Sequence, residues 1–75
     1  MNEYTVVVGY PFFLTNRKWR GFAESAEDAI RIVFSLATGR EAKRVEEYAG
    51  TKLHTDRCFT VEFGCREEAV LFIEA

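Results

Sequence analysis

The side chains best equipped for chemistry are His54, Asp56, Cys58 and Cys65, and they follow one another along the last third of the chain. The histidine and the cysteines are spaced H-x3-C-x6-C. Structural zinc asks for four ligands, with cysteines usually paired two to four residues apart, and this spacing does not supply them. A Cys–His nucleophile needs a thiolate of low pKa, an oriented imidazole and a third group that holds it. Nothing beside His54 and Cys58 provides that third group. The ordinary reading is a surface histidine in a polar loop, Cys58 on a strand face and Cys65 in a turn. Paired carboxylates occur at Glu46-Glu47 and Glu67-Glu68. General acid–base work needs carboxyls in one cleft with separated pKa values, whereas neighbours on an element point apart into solvent. Phosphate-binding loops, dinucleotide fingerprints and nucleophile elbows are missing from the sequence. No catalytic residue, metal site or cofactor is therefore expected, and the chain reads as non-enzymatic.

Binding is the remaining class. Arg17, Lys18 and Arg20 surround Trp19. Cations interleaved with a ring can hold phosphates while the ring stacks on a base. Arg40, Lys43 and Arg44 form a second, looser basic group. On the outer face of a hairpin, however, Lys and Arg are ordinary edge protection. An apolar surplus weighs against them. Ile32 and Leu36 fall outside the buried stripe of their helix, and Val70 and Phe72 lie on the second face of the last strand. Contiguous apolar surface of this kind marks an interface.

Composition narrows the choice. The chain has 75 residues, enough for one domain, with ten basic and twelve acidic side chains and a formal net charge of −2. A general nucleic-acid binder would usually be basic. Seven Phe, three Tyr and one Trp offer dense packing to a domain whose size leaves it marginal. Met1-Asn2-Glu3-Tyr4 lacks the basic start and apolar core of a signal peptide. The apolar runs are too short to cross a bilayer. Two cysteines do not make a disulfide framework. Together these features lead us to expect a cytoplasmic protein with no membrane partner.

The elements that would position these residues can be read in turn. Tyr4 to Val8 is β-branched or aromatic and predicts a strand, with Tyr4, Val6 and Val8 on one face. Pro11 suggests that this strand is an edge or carries a bulge. Phe12-Phe13-Leu14 resumes the apolar run, and Thr15-Asn16-Arg17 predicts the turn of a long hairpin. Lys18 to Ala23 returns as a strand with Trp19, Gly21 and Ala23 sharing a face. The best-defined element spans 25–38. Ser25 can cap it, Glu27 and Asp28 suit its positive end, and Gly39 can close it. Ala26, Ile30, Val33, Phe34 and Ala37 gather on one side, flanked by Ala29. Ala42, Val45, Tyr48 and Ala49 keep helical spacing, which favours a short second helix over 41–49, with a strand as the alternative. Residues 50–56 are polar and predict a loop. Phe59, Val61 and Phe63 alternate with Cys58, Thr60 and Glu62 in a strand. After a turn at 64–68, Ala69 to Ile73 forms a last strand that is apolar on both faces.

The run Trp19-x-Gly21-x-Ala23-x-Ser25-x-x-x-Ala29-Ile30 resembles the hairpin-to-helix junction of many small β-β-α domains. In size and in its lack of catalytic motifs the chain also resembles, in kind, small phage or mobile-element proteins that block a larger host machine, anti-CRISPR proteins among them. That likeness implies an inhibitor that works by binding.

The expected fold is a two-layer α+β domain, an antiparallel sheet of about four strands with the 25–38 helix on one face. The expected function is occlusion of a protein partner, with or without self-association. Ile32, Leu36, Phe12 and Phe72 are the apolar anchors, and Arg17, Lys18, Arg20, Arg40, Lys43 and Arg44 the charged contacts. A nucleic-acid-binding regulator using the Arg17–Arg20 hairpin is the alternative.

Overall fold

Ser25 and Gly39 delimit the helix as their chemistry requires. In the computed structural model, which describes residues 1–10, 18–48 and 56–74, helix α1 spans Ala26–Thr38. The Ser25 hydroxyl accepts a hydrogen bond from the Asp28 amide at 3.2 Å, satisfying a donor that the first turn cannot pair internally. Gly39 has φ 70°, and its amide donates to the Ser35 carbonyl at 2.8 Å. Only a residue without a Cβ enters that left-handed region at no steric cost.

Five strands accompany the helix: β1 (Asn2–Tyr10), β2 (Lys18–Ala23), β3 (Arg44–Tyr48), β4 (Arg57–Gly64) and β5 (Glu67–Ile73). They form one sheet in the order β2-β1-β5-β4-β3, antiparallel throughout. The sheet therefore has five strands where four were expected. The additional strand is β3, which occupies the stretch expected to be a second helix. Ala42 and Val45 are both buried, so their spacing does reflect the core. It is met by a connecting segment followed by a strand, because Val45 pairs with Val61 and the Lys43 amide donates to the Glu62 carbonyl at 2.7 Å. Residues 11–17 and 49–55, which carry the expected hairpin turn and most of the polar loop, lie outside the described residues.

Strand β1 is an interior strand, paired with β2 on one side and β5 on the other. Its pairing with β5 shifts register between Val8 and Tyr10. Pro11, which carried the edge-or-bulge expectation, lies outside the described residues. Strand β5 is the third of five.

One side of the sheet is covered by α1. Val6, Val8, Ala23, Phe59, Val61, Ala69, Leu71 and Ile73 meet Ala26, Ala29, Ile30, Val33 and Phe34 there. Phe34, Ile30, Leu71, Val6 and Val61 are the largest fully buried side chains. Ala37, expected in this stripe, is exposed. Phe63 extends the core beyond the helix end, its ring 5.0 Å from that of Phe34. On β2, the Trp19 ring lies flat over Gly21, where an added Cβ would come within 2.5 Å of it.

Two outcomes follow from these contacts. Ser25→Ala should lower unfolding free energy by about 1 kcal/mol in urea denaturation, with the fold retained. Gly21→Ala should displace the only tryptophan. A red-shifted emission and a lower denaturation midpoint are expected; an unchanged spectrum would show that the ring does not rest on the glycine.

Candidate interaction surfaces

The candidate residues divide between the two sides of the molecule. On the helix side, Ile32 and Leu36 stand one turn apart, 39% and 70% exposed. They line an open groove of about 550 Å³ together with Arg31, Ser35, Arg40 and Ala42. The groove exists because Gly39 turns the chain back. The segment that follows then runs beside the outer face of α1. Arg31 holds it there, its Nη1 donating to the Ala42 carbonyl at 2.9 Å. Ile32 and Leu36 are exposed, as helical periodicity implied. Arg31 and Ser35, which line the same groove, were not singled out in the sequence; Ser35 follows Ile32 at i,i+3.

Arg40 forms one end of this groove and has a structural task as well. Its guanidinium lies 4.8 Å from the centre of the Phe63 ring, and its Nη1 donates to Glu67 at 3.0 Å. It caps the Phe34–Phe63 pair with an apolar-tolerant cation. Lys43 is exposed, with no side-chain ion pair to any other described residue.

Among the described residues, no helix lies on the opposite side of the sheet. Strand alternation puts Val7, Phe72, Cys58 and Tyr48 there, and the pairings Val7↔Lys18, Val7↔Phe72, Cys58↔Phe72 and Tyr48↔Cys58 align them in one row across all five strands. Val70 lies beside the row. Phe72 is half-buried because its ring leans over Gly9, where an added Cβ would come within 2.3 Å of it. Phe22, on the edge strand, is 63% exposed.

The cations of this face are already engaged. Lys18 Nζ lies 2.7 Å from Glu74 Oε1, and this hydrogen bond raises the lysine pKa above its ordinary value. Arg20 donates to Glu3 at 3.0 Å. Arg44 pairs with Glu62 at 3.2 Å, which offsets the placement of Glu62 directly opposite Glu68. Arg17 and Phe12 lie outside the described residues, as does His54. Cys58 is half-buried in the face, and desolvation pushes its thiol pKa up, the reverse of what a nucleophile needs. Cys65 is exposed in the β4–β5 turn. Among the described residues, no three His, Cys, Asp or Glu side chains are grouped to hold a metal, and no helix is long and apolar enough to cross a membrane.

Comparison with protein-family models, with curated proteins and with solved structures yields no match.

At the far end of the sheet, Arg57 makes a two-pronged pair with Glu47, both bonds 2.7 Å, and its guanidinium sits over the Phe59 ring. These bonds hold the Glu47 carboxyl below its ordinary value of 4.5. The folded chain thus binds that proton more weakly than the unfolded chain. The contribution is complete above the ordinary carboxylate range and is lost as pH falls through the lowered folded value. Both groups are largely exposed, so the contribution is under about 1 kcal/mol at neutral pH. Glu47→Gln should be slightly less stable than wild type at neutral pH, and urea midpoints of the two should converge in acid. A gap that persists in acid would assign the effect to packing.

Proposed function

We propose that this chain is a non-enzymatic protein-binding module whose contact surface centres on Ile32 and Leu36. The supporting observation is the placement of both side chains, exposed and one turn apart, in a single groove bordered by the charged residues Arg31, Arg40 and Glu41. An apolar pair inside a polar rim is the arrangement from which binding energy is drawn at protein interfaces. The fold supports this use, since the buried stripe of α1 is complete without Ile32 and Leu36. Binding at this groove would act by covering a functional surface of a larger partner. The likeness in kind to small phage inhibitors extends the reading to a host nucleic-acid-targeting complex as the partner.

The nucleic-acid alternative receives less support. Lys18 and Arg20, the described members of its basic cluster, are each paired with a carboxylate at 2.7 and 3.0 Å. Phosphate would have to displace Glu74 and Glu3.

Leu36→Glu tests the proposal, because the residue is exposed and the fold does not depend on it. Capture of host proteins by the tagged wild type should yield a partner that Leu36→Glu loses at least tenfold and that Arg57→Ala retains. Equal capture by Leu36→Glu would reject the groove. DNA or RNA binding that falls steeply with salt and disappears in Lys18→Ala/Arg20→Ala would replace the proposal with its alternative.

A further inference from the structure

We infer that the outer edge of β2 is a self-association surface, at which the β2 strands of two copies of this chain pair antiparallel and join their sheets. Among the described residues the edge is open: β2 pairs with β1 on one side and with no strand on the other. One hydrogen bond fixes which of its backbone groups point outward. The Glu74 amide donates to the Thr5 carbonyl at 2.9 Å. The amide and carbonyl of Thr5 therefore point towards β5, and those of Tyr4 and Val6 towards β2. Their partners Gly21 and Trp19 point back at β1. Lys18, Arg20 and Phe22 thus turn their amides and carbonyls out to the free edge, where no other described residue bonds them. Phe22 adds a side chain that is 63% exposed and takes no part in the core.

The side chains select one register. An antiparallel ladder sets outward-turned residues of one copy opposite outward-turned residues of the other. Placing Lys18 opposite Arg20 of the second copy, or Arg20 opposite Arg20, opposes like charges and is unfavourable. Sliding the strands the other way, past the register centred on Gly21, sets Lys18 opposite Ala26, which already belongs to α1. The register centred on Gly21 avoids both. It sets Arg20 of each copy opposite Phe22 of the other, where a guanidinium is favoured beside a ring. It also sets Lys18 opposite Glu24, an exposed carboxylate with no ion pair to any other described residue. Ser25 beyond it is still extended, with φ −149° and ψ 168°. The two Arg20 side chains lie on the diagonal across the axis, and each keeps its own Glu3, as Lys18 keeps Glu74. At the axis Gly21 meets Gly21, with Cα atoms about 4.5 Å apart in such a pair. The Trp19 rings, each resting on its own Gly21, flank the axis on the helix side. The pairing is isologous and closed, because each copy spends its β2 edge once. Its affinity comes from main-chain bonds, about four from the two Arg20–Phe22 pairs. A contact one strand wide is weak and forms at micromolar or higher concentration.

Sedimentation equilibrium of the full chain should show a concentration-dependent dimer. Phe22→Pro removes an outward amide that β1 does not use, and proline is accepted at such an edge position. It should raise the dissociation constant at least tenfold while the far-UV circular dichroism stays native, and Arg57→Ala should leave the constant unchanged. A charge exchange keeps the inference testable if Phe22→Pro does not fold. Lys18→Glu and Glu24→Lys should each dimerise less well than wild type, because like charges then face each other at both ends of the ladder. An equimolar mixture of the two should associate better than either protein alone, because each glutamate at one position then faces a lysine at the other. A wild type that stays monomeric to several hundred micromolar (on the order of 100-fold above a micromolar constant) overturns the inference. So does a folded Phe22→Pro that dimerises as well as wild type, or a mixture that associates no better than its components.

Discussion

Among the described residues, one helix of thirteen residues has to serve a sheet of five strands. Such a helix is about 20 Å long and 10 Å across, enough to cover one side of the sheet and nothing more. Everything else in the molecule follows from that limit. The side under α1 becomes a dry core of aliphatic and aromatic side chains, with no buried polar or charged residue among those described. The other side keeps an apolar row that the chain's described residues leave without a second layer. The outer surface of α1 keeps Ile32 and Leu36, which the core does not use.

The sheet copes with its uncovered side by local means. The Phe72 ring lies over Gly9, so that it hides part of its own area against bare backbone. Cross-strand ion pairs border the row and keep the face nearly neutral. The edge strands β2 and β3 carry Lys18, Arg20, Arg44, Glu46 and Glu47, charges that discourage open-ended strand addition. The groove on the helix side differs in kind, being a concave site lined by one turn of helix and the segment that follows it.

Much of the frame was legible along the chain. The capped helix, the pairing of β1 with β2, the alternation of β4 and the two-faced character of β5 were all read from residue type and period. Each is a local pattern that burial on one side enforces. The segment 41–49 was misread because Ala42 and Val45 satisfy helical spacing and core burial at once. What decides between helix and strand there is the edge of β4, which offers unpaired backbone groups that Arg44–Tyr48 can satisfy. That edge comes from a separate part of the sequence, with Tyr48 paired to Cys58 and Arg44 to Glu62, and spacing within the segment does not contain it.

The sequence alone determined the helix limits, through the Ser25 hydroxyl and the missing Cβ of Gly39, and it determined which residues the core would not need. Tertiary structure decided what those residues became. Turning at Gly39 and the Arg31–Ala42 hydrogen bond make Ile32 and Leu36 part of a groove. The insertion of β5 between β1 and β4 puts Phe72 at the centre of an apolar row. Strand order and register are long-range choices, set by which backbone edges meet, so no local pattern could have placed those side chains together.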